Sequence, residues 1–352
     1  MKIKPFFKLM VEKKASDLFF VPFAPAKIKI DGRIVPINKV ELTPTMVKEA
    51  ASEVMDADQM ETFARELEMD FTISEPGLGR FRVNAFYQRG NISMVLRYIT
   101  AELPTLEDLG MPEKLRGLAM LRRGLVLMVG SAGCGKSTTL AAMINHRNEN
   151  ASSHIITVED PIEFLHPNKQ SIVNQREVGL DTKSYRRALK SAIRAAPDVL
   201  QIGEIRDRES MQSAIDMAGT GHLVLGTLHS NNSAEALDRI INMFPEGQHN
   251  QVFMDLGHYL RAILSQRLVR DRSGKRVAAV ELLVSTPHIK DLILKGDITG
   301  VKDALRESSD KEMQNFDEAL LALYKSDVIE LEEAMSHADS RTNLEAKINF
   351  GS

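Results

Sequence analysis

Between residues 130 and 139 the chain reads GSAGCGKSTT, directly after the apolar run GLVLMV (124–129) and before LAAMINH. The stretch fits G-x-x-x-x-G-K-[ST], with Gly130, Gly135, Lys136 and Ser137 in the defining places. No other feature constrains the fold as strongly. The apolar run reads as a buried strand and the following segment as a helix, so the loop joins the end of one to the start of the other. Glycines let backbone N–H groups turn inward around phosphate, and the helix adds the positive end of its dipole. Lys136 then reaches the β- and γ-phosphates and the Ser137 hydroxyl ligates Mg²⁺. The cradle comprises Gly130, Ser131, Ala132, Gly133, Cys134, Gly135, Lys136, Ser137 and Thr138. Cys134 fills a variable slot and reads as a tolerated small residue, with a redox switch as the alternative.

The strand-loop-helix pattern repeats on only one side of the chain. Residues 1–100 mix helix and strand signals: an amphipathic FFKLMVEK, two strand-like runs in AKIKIDGRIVPI (26–37) around Asp31-Gly32, two helices in 43–67, and three strands in 70–99 with turns at Pro76-Gly77 and Gly90-Asn91. These predict a compact α+β domain, then a connection over 101–113. From 114 to 352 the apolar segments GLVLMVG, HIITVED, PDVLQIGE, HLVLGTLH and KRVAAVELLV alternate with helical stretches, which predicts an α/β domain with a mostly parallel sheet. Beyond about residue 287 the tail reads as helical: PHIKDLILKG, MQNFDEALLALYKSD and ELEEAMSHA.

Composition narrows the function classes. At 352 residues the chain is too long for one ordinary core. A net charge of −3 gives no global basic footprint for nucleic acid. The single cysteine excludes an intrachain disulfide framework and a multi-cysteine zinc site, and fits a reducing cytoplasm. No apolar run approaches the roughly 20 residues of a membrane helix. The N-terminal apolar centre is too short for a signal peptide, so membrane association is expected through a partner.

Hydrolysis needs an acidic residue near the metal and the attacking water. PDVLQIGEIRD (197–207) delivers Glu204 at the carboxyl end of a strand, where ligands of open α/β sheets bind. HIITVEDPIEF (154–164) brings Glu159, Asp160 and Glu163, and each strand end can equally be a solvated one. His222 and His229 bracket HLVLGTLH at an odd spacing, which places them on opposite faces and argues against a shared metal. A histidine there either senses the γ-phosphate, bridges to a neighbour or is a satisfied strand-end residue. Arg80, Arg82, Arg89 and Arg97 read as a charged strand face or as the outside arginines of a motor. SYRRALKSAIR (184–194) is a basic helix and reads as a solvated face or a subunit contact.

Taken in order, ASDLFF, IDGRIVPI, RFRVNAF, GSAGCGKSTTLAAM, VEDPIEF, VNQREVG, IGEIRD, TGHLVLGTLH and RIINMFP resemble the secretion ATPase superfamily along essentially the whole chain. The resemblance is to its type IV pilus retraction branch (PilT/PilU), with APDVLQIGEIRDRESMQSAIDMAGTGH and MQNFDEALLALY nearer the PilU type. It implies a PAS-like α+β N-terminal domain, a RecA-like P-loop ATPase domain and a helical C-terminal tail. It also implies a cytoplasmic homo-hexamer that hydrolyses ATP with Mg²⁺ to promote pilus retraction and twitching motility. The partners implied are a PilT-type retraction ATPase and the inner-membrane platform protein of the pilus machine, with peripheral docking at that membrane and no nucleic acid. Glu204 becomes the water-activating glutamate, contacting Mg²⁺ directly or through water, beside Ser137. Glu159 and Glu163 fall in the acidic box, His222 and His229 in the histidine box, and Arg82 and Arg97 match arginines that reach the nucleotide. Three departures stand out: HIKDL (288–292) has Lys290 where the family has arginine, Ala195 and Ala196 precede Pro-Asp, and Gln201 interrupts an apolar strand. The alternative is a nucleotide-binding adaptor with little hydrolysis of its own.

Overall fold

The computed structural model describes residues 2–30, 32–99, 102–308 and 313–350. Asp31 of the expected hairpin and the first residue of the expected linker, Ala101, lie outside these. The chain forms two compact units, one of residues 1–102 with Glu163–Leu165, the other of Leu103–Ile162 with His166–Ser352.

The first unit is α+β. Its elements are α1 (Lys4–Glu12), β1 (Asp17–Phe20), β2 (Pro25–Ile30), β3 (Arg33–Glu41), α2 (Pro44–Val54), α3 (Ala57–Glu66), β4 (Glu68–Glu75), β5 (Gly79–Gln88) and β6 (Asn91–Ile99). The strands make one antiparallel sheet in the order β3-β2-β1-β6-β5-β4. Local chemistry explains the boundaries. Thr43 caps α2, with Pro44 in its first turn, and Asp56 and Gln59 close a reciprocal capping box on α3. The β5–β6 turn consists of Arg89 (φ 49°) and Gly90 (φ 75°), a two-residue left-handed turn one position earlier than Gly90-Asn91. Phe81, Val83 and Ala85 alternate into the core, where Phe7 stacks on Phe81 at 4.3 Å.

The second unit is α/β. It runs α4 (Lys114–Ala119), β7 (Gly124–Val129), α5 (Lys136–Asn150), β8 (His154–Glu159), β9 (Ile172–Glu177), α6 (Tyr185–Ala192), β10 (Val199–Ile202), α7 (Arg208–Gly219), β11 (Leu223–Leu228), α8 (Ser233–Asn242), α9 (His249–Tyr259), β12 (Leu260–Arg270) and β13 (Arg276–Val284). The tail adds α10 (Pro287–Leu294), α11 (Ile298–Arg306), α12 (Phe316–Lys325), α13 (Leu331–His337) and α14 (Arg341–Phe350). The sheet order is β13-β12-β7-β11-β10-β8-β9, parallel except for β13, which returns antiparallel to β12. Every residue of β7 is buried. Leu125, Leu127 and Val129 face one helical layer with Met211 and Ile240, while Val126 and Met128 face α4 and α5 through Leu118 and Leu140. A strand covered on both faces has no polar side to show, hence the unbroken apolar run.

β9 and β12 were not among the expected strands. β9 is a sheet edge whose four consecutive polar residues, Asn174 to Glu177, break any apolar run, and β12 follows α9 without any turn residue to mark a boundary.

Gln201 sits in β10 between Thr157 of β8 and Leu225 of β11, and its Oε1 is buried without a hydrogen-bond partner. An unsatisfied buried acceptor costs stability that an apolar side chain of similar shape does not. Gln201→Leu is therefore expected to stabilise the protein by roughly 1 kcal/mol, read as a higher midpoint in thermal or urea unfolding. A lowered midpoint would show that the amide is satisfied in solution.

Candidate functional site

The loop after β7 keeps its shape through three glycines with positive φ: Gly130 (149°), Gly133 (77°) and Gly135 (92°). A side chain at Gly130 would strike the Cys134 sulfur and come within 2.7 Å of the Gln266 carbonyl. One at Gly135 would lie 2.7 Å from Gln266 Nε2. Cys134 itself is buried against this turn, which favours a packing role over a reactive one.

The residues present fit a bound phosphate. α5 begins at Lys136 after the N-cap Gly135, with no side chain capping it, so its first N–H groups are offered to a ligand. Lys136 Nζ donates to the carbonyls of Gly130 (2.7 Å) and Ser131 (2.8 Å). Burial pulls the Lys136 pKa down, opposed by the nearby Cys134 and Glu204. Ser131, Ala132, Gly133 and Ser137 are exposed beside this buried lysine.

Parallel, in-register pairing puts the ends of β8, β10 and β11 on the same edge as this loop. Glu204 follows β10 and is engaged by Arg206 and His229. Its Oε2 accepts from Arg206 Nη2 at 2.7 Å, and its Oε1 lies 3.1 Å from His229 Nε2 at the end of β11. The Arg206 hydrogen bond holds the Glu204 pKa below its ordinary value against the opposing effect of burial; His229 and Lys136 lower it further. Glu159, buried at the end of β8, accepts from Thr157 Oγ1 (2.6 Å) and Gln175 Nε2 (3.1 Å). Gly203 lets these parts converge: a side chain there would stand 3.1 Å from Glu159 Cα, from the Tyr185 hydroxyl and from the Val158 carbonyl. Burial first, then the carboxylates of Asp160, Glu204 and Glu159, raises the Tyr185 pKa well above its ordinary value.

Lys136, Glu204, Glu159 and His229 thus gather at one edge. His222 does not join them within the chain. It precedes β11 at the opposite end, where Nδ1 lies 3.1 Å from both the Met217 carbonyl and Thr220 Oγ1. Glu163 is exposed and groups with the first unit. In that unit Arg82 and Arg97 stand directly opposite on β5 and β6, and Arg97 Nε donates to buried Asp17 at 2.9 Å. On the basic helix α6, Arg186 pairs with Glu209 of α7 at 3.3 Å. Arg206, Tyr185 and Gln266 were missed. Arg206 follows the glutamate in IGEIRD, but Tyr185 and Gln266 meet the site only through the fold. Among the described residues no group of three or more His, Cys, Asp or Glu is placed to hold a metal by itself.

Residues 2–324 match the family model described as "Type II/IV secretion system protein". The chain is similar to the type IV pilus ATPase PilU of Pseudomonas aeruginosa, 49% identical over all of this chain and 92% of that protein. It is also similar to the pilus retraction ATPase PilT of the same organism, 39% identical over 98% of this chain and 100% of that one. The crystal structure of the pilus retraction motor PilT with bound ADP superposes with a TM-score of 0.92 at 41% identity, covering 98% of this chain and 99% of that one.

The Arg206 contact makes a titration prediction. A carboxylate whose folded pKa is depressed contributes stability above its unfolded value, about 4.3 for glutamate, and loses it as pH falls through the folded value. Arg206→Gln is expected to raise the Glu204 pKa toward the ordinary range, as followed by carboxyl NMR. An unmoved pKa would mean that the pair does not form in solution.

Proposed function

We propose that this chain, which belongs to the type II/IV secretion system protein family and is a P-loop ATPase, works in a hexameric motor that promotes type IV pilus retraction and twitching motility. A PilT-type retraction ATPase is its proposed partner. The observation that carries this reading is the gathering of Lys136, after β7, and an ionised Glu204, after β10, at the same edge of one sheet, close enough to shift each other's pKa. No helix among the described residues is long and apolar enough to cross a membrane. The motor is accordingly proposed to be cytoplasmic and to dock peripherally on the inner-membrane platform protein.

In this reading residues 1–100 form a PAS-like domain, 101–113 a linker and 114–352 the RecA-like motor. Backbone N–H groups from Gly130 to Thr138 bind the phosphates and Lys136 neutralises their charge. Ser137, with Glu204 directly or through water, would hold Mg²⁺, which would supply further neutralisation of phosphate charge. The Glu204 carboxylate orients water and accepts its proton. His229 and Arg206 fix that carboxylate, Glu159 supplies a further acidic group at the same edge, and Glu163 is proposed as an additional catalytic carboxylate. Arg82 and Arg97 supply positive charge to the nucleotide, which for Arg97 means sharing or leaving Asp17. His222, remote in its own chain, acts toward a neighbouring subunit. Opening and closing of clefts between subunits turns the platform and returns pilins to the bilayer.

Steady-state ATPase activity of the purified protein tests this, beside Lys136→Ala and Glu204→Gln, with and without a PilT-type partner. Robust turnover by the chain alone is expected, with a loss of about a hundredfold or more in each variant. Nucleotide binding with turnover only when the partner is present would overturn the motor and make the chain an accessory subunit.

A further inference from the structure

Both glycines that bound the phosphate loop abut one residue from far along the sequence, Gln266 of β12. β12 pairs with β7 so that Ser265 stands beside Val129, which sets Gln266 next to Gly130. Its side chain is buried and both ends of its amide are used. Nε2 donates to the Cys134 carbonyl at 2.8 Å, and Oε1 accepts from Thr139 Oγ1 at 2.8 Å. The orientation follows from the partners, because a carbonyl can only accept and so must face the NH₂ group.

The Cys134 bond sets more than one oxygen. In a trans peptide the C=O and the following N–H point in opposite directions, and the Cys134–Gly135 bond is trans. Holding the Cys134 oxygen toward β12 therefore turns the Gly135 N–H away from β12, to the side left for a ligand. Resting on the nucleotide reading of this loop, we propose that Gln266 is a positioning residue that presents the Gly135 N–H to a bound phosphate. The Thr139 bond orients the amide but fixes no loop peptide. The two bonds therefore differ in kind: breaking either removes one buried hydrogen bond, but only the Cys134 bond sets the cradle.

The experiment uses the full chain and measures fluorescent ADP affinity, ATPase kinetics and thermal midpoint. Gln266→Met removes both bonds at similar volume. Gln266→Glu keeps the Thr139 contact and loses the donor to Cys134, and serves if the methionine variant does not fold. Thr139→Val breaks only the other bond. A rise of about tenfold in Kd and KM is expected for both Gln266 variants, with kcat within about twofold, because the contact is made equally in ground and transition states. Thr139→Val is expected to lower the thermal midpoint while moving KM less than about twofold. Unchanged Kd and KM in the Gln266 variants, or an equal rise in Thr139→Val, would reduce Gln266 to a packing role and overturn the proposal. Lys136→Ala separates the two readings: if the unaltered chain binds ADP no better than that variant, the nucleotide reading falls and this inference with it.

Discussion

The second unit depends on the parallel, in-register pairing of β7, β11, β10 and β8. That pairing demands helices on both faces, because a strand buried on each side can present only apolar groups along its length. It also forces the polar residues to the strand ends. Lys136, His229, Glu204 and Glu159 each follow or close one of these strands, so one edge collects a cation, two carboxylates and an imidazole without any long loop to carry them. The electrostatics follow from this crowding. Glu204 is kept ionised by Arg206 and His229, while Lys136 is kept charged against its burial partly by Glu204.

β12 performs a second gathering. Ser265 donates to Glu281 Oε1, which also accepts from the backbone and hydroxyl of Ser233 at the start of α8. Burial pushes the Glu281 pKa up, and these donors oppose it. Gln266 holds the phosphate loop. Arg267 lies over the Phe316 ring at 3.8 Å, pairs with Asp339 and donates to the His337 carbonyl. Three consecutive residues therefore tie the segment after His229, the phosphate loop and the C-terminal helices to one strand.

Much of this was legible in the sequence. The α/β class with an N-terminal α+β domain follows from the phosphate loop and the contrast between mixed and alternating halves, and the fold agrees. Lys136 and Glu204 were readable because glycine spacing and a strand-end carboxylate are local signals. Gln266 was not, since its role exists only across β12 and β7, and β12 lacks the turn chemistry that would have marked it as a strand. His222 and His229 looked like a pair by motif, but six strand residues separate them, and only the fold says which end faces the loop. Arg97 read as part of a charged strand face or as an outside arginine of a motor, and its pairing with Asp17, 80 residues away, was not legible.

The absence of any residue between Tyr259 of α9 and Leu260 of β12 has a mechanical meaning. No loop separates helix from strand, and the register irregularity at the junction falls at Arg261, between Leu260 paired with Leu125 and Ala262 paired with Val126. Gly257 near that junction has no side chain, and even a methyl group there would come within 2.5 Å of Leu294 on α10. α9 and α10 are thereby geared together, and α10 carries the HIKDL segment. The helix bearing Lys290 therefore packs against the helix that runs directly into β12, the strand paired with the phosphate-loop strand.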